Sequence, residues 1–403
     1  MQRNRLARAM TTLGLLGVTA TMGLSAAHAQ DKVKIGFITD MSSLYADVEG
    51  KNGALAIQMA IDDFGGKVLG KPIELMSADH QNKADIAASK AREWIDTQDI
   101  SLVFGGTNSA TALAMAKVAA EKKRIFIDNG AGSSALTNEQ CTPYTIHYAF
   151  DTVALAKGTG KAIVESGGKS WFFLTADYAF GHALEADTTK VVNASGGSVL
   201  GAVKTPLNAS DFSSFMLQAQ NSKAQILGLA NAGGDTVNSI KAAKEFGVTK
   251  NMKLAGLLIF FSDIHSLGLK NTEGLQFTAP WYWDMNDASR KFADAFMAKT
   301  KRRPTEIQAA DYSATMNYLK AVQAVGTVDA DKVMAQLKSA PLNDFFGTGM
   351  IRPDGRYAHD MYLMEVKSPA ESKGTWDYYK IVKKLPADQV WTTKEESKCA
   401  LWK

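Results

Sequence analysis

Two short apolar runs end in small residues that can do chemistry without a catalytic side chain. The first is Leu102-Val103-Phe104-Gly105-Gly106-Thr107-Asn108-Ser109 and the second is Ile125-Phe126-Ile127-Asp128-Asn129-Gly130-Ala131-Gly132-Ser133-Ser134. Each reads as a strand passing into a helix, with glycine and then hydroxyl or amide residues at the turn. Backbone N–H groups at such a turn are unpaired, glycine allows close approach, and the helix dipole favours a negative guest. Gly105 and Gly130 are 25 residues apart, so the two turns are expected to face one cleft as an anion cradle.

Other chemistries fare poorly. Gly130-Ala131-Gly132-Ser133-Ser134-Ala135 matches G-x-G-x-x-A, with Asp151 beyond it, but Pro143 cuts short the helix that a dinucleotide site needs. Gly168-Lys169-Ser170 resembles the end of a P-loop, yet position 163, where the first glycine belongs, is Ile163. The histidines are scattered, with no H-E-x-x-H or Cys/His cluster, and no G-x-S-x-G elbow occurs. Asp62-Asp63 and Glu395-Glu396 read as solvated faces. The expectation is a binding protein with no catalytic residue, cofactor or metal.

The elements that must position the two turns alternate. Strands are expected at Val33–Thr39, Ile73–Ala78, Ser101–Phe104, Ile125–Asp128 and Tyr144–Phe150, with helices at Asn52–Gly65, Ala84–Thr97 and Ser109–Lys122 between them. A second series follows, with helices Val153–Ser166, Phe180–Ala194, Phe212–Asn221 and Thr236–Phe246 and strands Ser170–Thr175, Ser198–Lys204, Ala224–Leu229, Lys253–Leu258 and Leu275–Ala279. Helices Ala288–Thr300, Thr305–Val325 and Asp331–Ser339 come next. A hairpin is then expected, Gly349–Arg352 turning at Pro353-Asp354-Gly355 toward Met361–Val366. Such alternation implies α/β architecture with largely parallel sheets.

Residues 1–29 read as an export leader: Arg3, Arg5 and Arg8, an apolar stretch, then Ala27-His28-Ala29 before Gln30. Taking those three arginines from 45 basic residues leaves 42 against 41 acidic ones. That balance argues against a nucleic-acid partner. The remaining roughly 370 residues exceed one comfortable core, so two lobes are expected. Cys141 and Cys399 are the only cysteines. In an oxidising compartment they pair most simply with each other, the alternative being two buried thiols.

Several segments carry a resemblance. Val33-Lys34-Ile35-Gly36-Phe37, the helix before Gly70-Lys71-Pro72-Ile73-Glu74-Leu75, both glycine turns, Ala176-Asp177-Tyr178-Ala179-Phe180-Gly181 and Ile240–Gly247 resemble, in order and spacing, periplasmic solute-binding proteins of ABC importers, type I, branched-chain-amino-acid-binding family. The resemblance implies two Rossmann-like lobes joined by a three-crossover hinge, closing on a small molecule. It implies a first lobe of 32–150 plus 281–340, a second of 151–280 plus 341–395, and a tail of 396–403. It further implies a ligand carboxylate held at Ser109, with Asn108 beside it, and by Gly130, Ala131 and Gly132. The family's Thr falls on Gly132, leaving Ser133 as the nearby hydroxyl, and a family Tyr falls on Phe180.

The family's ammonium-binding Glu has no obvious counterpart, so Asp235 and Asp263 are candidates, with Asn231 in the stretch that replaces the family's tyrosines. Tyr45, Tyr178, Phe180, Phe260-Phe261 and Trp281-Tyr282-Trp283 make the expected cleft aromatic, with Phe261 and Trp281 the candidates from the last two runs, and aromatic rings favour another ring as guest. The set resembles the subgroup binding benzoates and hydroxycinnamates. The implied partners are a carboxylate ligand and the importer's permease and ATPase, with the receptor itself a monomer. Branched-chain amino-acid binding, a secreted oxidoreductase and a stand-alone sensor are the rival readings.

Overall fold

Parallel strands buried on both faces organise the protein. A computed structural model describes residues 32–403; the expected leader, 1–29, lies outside the described residues. In chain order the first strands are β1 (Val33–Thr39), β2 (Lys67–Val68), β3 (Lys71–Asp79), β4 (Leu102–Gly105), β5 (Ile125–Asp128) and β6 (Thr145–His147). They form one sheet in the order β2-β3-β1-β4-β5-β6, parallel except for the short β2. The register pairs Ile35 with Leu102 and Phe104 with Ile127, so β4 and β5 end side by side and deliver both glycine turns to one sheet edge. All four residues of β4 and of β5 are buried, as expected for strands covered on both faces.

A second sheet comprises β7 (Ser170–Ala176), β8 (Ser198–Thr205), β9 (Ile226–Ala230) and β10 (Lys253–Gly256), all parallel, in the order β10-β9-β7-β8. The mixed α/β class with largely parallel sheets is therefore as the sequence predicts. The helix expected over Val153–Ser166 is present over Thr152–Glu165, but it widens into a π-helical turn at Ala156–Gly160, where Thr159 Oγ1 meets Thr278 Oγ1 at 2.9 Å.

The remaining strands correct one expectation. They are β11 (Gln276–Ala279), β12 (Leu342–Asn343), β13 (Thr348–Ile351), β14 (Tyr357–His359), β15 (Met361–Val366) and β16 (Tyr379–Leu385). The Pro353-Asp354-Gly355 turn joins β13 to β14, not to Met361–Val366. β15 instead lies between β11 and β16, antiparallel to both. A bridge between His147 and Arg356 sets the small β12–β14 sheet beside β6, so the chain leaves the first sheet system near Asp360. β16 escaped sequence reading because its middle is exposed, Ile381 and Val382 included, and it carries three lysines.

Helices Glu306–Val325 and Gly50–Asp63 pack against each other on the first sheet's side. Thr305 and Gln308 close the longer one with reciprocal cap hydrogen bonds. Cys141 and Cys399 are joined in a disulfide with Cα atoms 5.7 Å apart. No helix among the described residues is long and apolar enough to cross a membrane.

Candidate solute-binding cleft

The two glycine turns are tied directly to one another. Ser109 opens the Ser109–Glu121 helix, and its Oγ accepts a hydrogen bond from the Ser133 amide at 3.1 Å. Asn108 is the cap of that helix; its Oδ1 accepts from the amides of Ala110 (2.7 Å) and Thr111 (3.3 Å), a contact worth about 1 kcal/mol. Asn108 therefore spends its side chain on its own helix. Ser133 likewise caps the next short turn through the Ala135 amide.

Glycine is required here by close approach. A Cβ on Gly132 would lie 2.7 Å from Phe180 Cε2 and 2.9 Å from Phe150 Cε2. The space that a threonine would occupy is thus filled by the phenylalanine ring from the opposite half.

The second turn is held from behind. Asp128 Oδ1 accepts from the Ala131 amide at 3.1 Å, and His147 Nε2 donates to the Ala131 carbonyl at 2.7 Å. Both polar groups of Ala131 are thereby engaged. Burial pushes the Asp128 carboxyl well up, and burial followed by the Arg356 charge pushes His147 well down, so the imidazole is neutral. Arg356, fully buried, reaches Asp151 at 3.3 Å and the Phe150 carbonyl at 3.2 Å, where the chain passes from the first sheet to the second. The Thr152 amide then donates to Gly132 O at 2.8 Å. Turn and crossover form one hydrogen-bonded unit.

From the other half come Tyr178 and Phe180, at the start of the Ala179–Ala194 helix. The Tyr178 hydroxyl lies 2.6 Å from that of Tyr45, and the Tyr178 and Phe180 ring centroids are 6.0 Å apart. Burial holds both phenols well above their ordinary range. A small cavity lies between the halves. The six-stranded side contributes Tyr45, Val48, Thr107, Gly130 and Gly132. The other side contributes Tyr178, Phe180, Ala232, Leu258 and Phe260. None of these wall residues is a carboxylate or a cation, and the hydrogen-bonding groups on offer are hydroxyls and main chain.

Several expected site residues stand elsewhere. Asp235, at the start of the Gly234–Glu245 helix, is not a wall residue but is buried next to the Tyr45–Tyr178 pair; its Oδ2 accepts the Asn208 amide at 3.1 Å, its Oδ1 finds no donor among the described residues, and burial raises its carboxyl to about 6. Asn231 is spent internally on Ser239 and Thr236, both at 2.8 Å. Asp263 accepts the Phe260 amide at 3.0 Å, and burial raises it to about 7, beside Glu306, which burial raises to about 8. Phe261 turns into an aromatic cluster with Tyr282, Tyr378 and Tyr379, leaving its neighbour Phe260 at the wall. Trp281 donates from its indole to Ser289 Oγ at 3.0 Å and packs on Phe292 and Phe345.

Sequence reading missed Thr107, Val48, Ala232 and Leu258. Thr107 sits inside the first turn and is recoverable by position. The other three are ordinary apolar residues with no local signal.

This fold and cleft define a class, and comparison with known proteins names it. Residues 32–375 match the family model described as periplasmic binding protein, and the chain belongs to that family. It is thus a solute-binding protein. A periplasmic binding protein from Burkholderia mallei is 67% identical with a TM-score of 0.92, covering 93% of this chain and 100% of that one. A branched chain amino acid ABC transporter periplasmic ligand-binding protein from Burkholderia xenovorans is 39% identical with a TM-score of 0.83, covering 92% and 100%. A solute binding protein of an ABC transporter from Rhodopseudomonas palustris HaA2, in complex with p-hydroxybenzoic acid, is 25% identical with a TM-score of 0.80, covering 89% and 98%. These neighbours share the type I periplasmic binding protein architecture.

Proposed function

We propose that the chain is the extracytoplasmic receptor of an ABC importer for a small hydrophobic carboxylate, an aromatic acid of the benzoate or hydroxycinnamate type. The observation that carries this reading is the cavity wall: aromatic and aliphatic, with hydroxyl and amide donors and no carboxylate on the wall itself to meet an α-ammonium. The carboxylate docks at Thr107 and the amides of Gly130 and Gly132, supported from behind by Ser109, and the ring lies against Phe180, Tyr178 and Phe260.

The two sheet systems act as lobes that close around the solute, whose contacts to both sides favour the closed form. The closed monomer presents its cargo to a membrane permease driven by a separate ATPase, without chemistry on the solute and without a cofactor. Residues 1–29 serve as the leader, cleaved after Ala29. The p-hydroxybenzoic acid complex of a family member supports this cargo class.

A second reading, branched-chain amino-acid binding, is favoured by the description of the Burkholderia xenovorans protein. A thermal-shift panel separates the two, because a bound solute raises the melting temperature by mass action. Benzoate, 4-hydroxybenzoate and 4-hydroxycinnamate are expected to stabilise the chain. A response to leucine and valine alone replaces the first reading by the second.

A further inference from the structure

Among the described residues, two buried carboxyl oxygens without a donor lie behind the cleft. Glu49, just before the Gly50–Asp63 helix, and Asp311, on the Glu306–Val325 helix, are fully buried side by side. Glu49 Oε1 and Asp311 Oδ2 find no donor among the described residues. Gly53 leaves them room: a Cβ there would lie 2.6 Å from Asp311 Oδ2 and 2.8 Å from Glu49 Cγ. Two carboxyl oxygens in contact need a proton between them. The surroundings offer no cation to replace it. Asp40 faces Glu49, Asp128 faces Asp311, and Arg356 lies beyond Asp128 and is paired with Asp151. Asp311 Oδ1 is engaged by the Asn129 amide group at 2.7 Å.

From this pair a line of hydroxyls runs to the cavity. Glu49 Oε2 is hydrogen-bonded to Thr39 Oγ1, which lies 3.2 Å from Thr107 Oγ1, and Thr107 forms part of the cavity wall. Each hydroxyl owns one proton, so the direction of the line is set at its buried end. With a single proton, held between Glu49 Oε1 and Asp311 Oδ2, Glu49 Oε2 accepts from Thr39. Thr39 then accepts from Thr107, and Thr107 shows the cavity a lone pair. With a second proton, on Glu49 Oε2, every bond reverses. Glu49 donates to Thr39, Thr39 to Thr107, and Thr107 points a donor at the solute.

We propose that a carboxylate solute is captured together with one proton, which is taken up by Glu49 at the buried carboxyl pair and turns Thr107 from acceptor to donor through Thr39. The proton comes from solvent and returns to it on release; no bond of the solute changes. This also supplies the positive charge that the cavity wall lacks. Burial raises both carboxyls, which brings the uptake of that second proton toward the working pH. The inference rests on the cleft being the solute site, but not on the solute being aromatic.

The test is calorimetric titration of the full described chain in buffers of different ionisation enthalpy, with 4-hydroxybenzoate and L-leucine as probes. Whichever probe binds should take up about one proton per solute, and its Kd should weaken by up to about tenfold per pH unit above the pair's titration range. Glu49→Gln cannot gain a proton at this position, so the uptake is lost and Kd shows little pH dependence. Asp311→Asn leaves Glu49 free to gain its proton, so uptake persists. Thr39→Val breaks the line and abolishes uptake while leaving both acids in place.

Zero uptake by the wild-type chain overturns the proposal without any variant. Uptake that survives Glu49→Gln also overturns it, since the solute would then carry the proton itself. Binding of leucine alone refutes the aromatic-acid reading and still decides this one, and a chain that binds neither probe overturns both.

Discussion

Tyr45 and Tyr178 place their hydroxyls 2.6 Å apart, one from each side of the cleft. Two phenols in contact use one proton between them, so one O–H remains free to turn toward a solute. The contact therefore holds the halves together and keeps a donor in reserve. Replacing Tyr178 by Phe removes both services. A lost hydrogen bond of this kind is worth about 0.5–1.5 kcal/mol, so solute affinity should fall by about 2- to 12-fold. Calorimetry on Tyr178→Phe checks this, and unchanged affinity excludes the pair from closure.

Gly132 and Phe180 occupy one another's space. Gly132→Ala places its Cβ at 2.7 Å from the Phe180 ring and should cost about 1–3 kcal/mol, seen as a lower melting temperature. The double variant Gly132→Ala/Phe180→Leu should recover most of that loss. A single substitution with no thermal cost would show that the ring moves freely.

His147 acts on the cleft from outside it. Its Nε2–H fixes the Ala131 carbonyl, and through that peptide the amide of Gly132. His147→Gln should weaken carboxylate binding by more than it lowers stability, with about tenfold in Kd expected for one misplaced donor, near 1.4 kcal/mol. Parallel denaturation and binding curves read the split. Equal losses in both would reduce His147 to a packing role.

Asp263 and Glu306 give the stability a pH slope. Burial raises these carboxyls to about 7 and about 8, so the folded chain binds protons that the unfolded chain, with ordinary carboxyls, has released. Stability from this pair is accordingly highest at acidic pH and declines as pH rises from the ordinary carboxyl range through 8. Glu306→Gln removes one ionisation and keeps the shape. It should flatten the decline and, at pH 8.5, recover on the order of 1–3 kcal/mol. Melting curves from pH 5.5 to 8.5 check this, and equal slopes for both proteins would refute it.

Local patterns were legible and long-range ones were not. β5 and β15 fall on the predicted Ile125–Asp128 and Met361–Val366 because a short apolar run between turn residues has one periodicity to read. The two glycine turns were legible because turn chemistry is written in neighbours; Gly130 and Gly132 lie on the cavity wall, whereas Ser109 lies behind it, bonded to the Ser133 amide. Of the adjacent rings Phe260 and Phe261 only Phe260 reaches the cavity wall, because the helix starts at Phe261 inside the apolar run Leu257–Phe261 and leaves no local signal of which ring faces the cleft. The Glu49–Asp311 contact joins residues 262 positions apart and has no local trace. Each acid alone looks like a surface charge, and only the packing of two helices reveals otherwise.

The Cys141–Cys399 bond has a topological consequence. It turns the 258-residue span between the two cysteines into a covalent ring that contains the whole second sheet, every passage between the sheet systems, and Asp311. The opening strands β1 to β5, with Glu49 and both glycine turns, hang from that ring as a branch. A single cut anywhere in the ring linearises it without dividing the protein, whereas one cut in the branch between Glu49 and Cys141 leaves Glu49 with no covalent connection to Asp311.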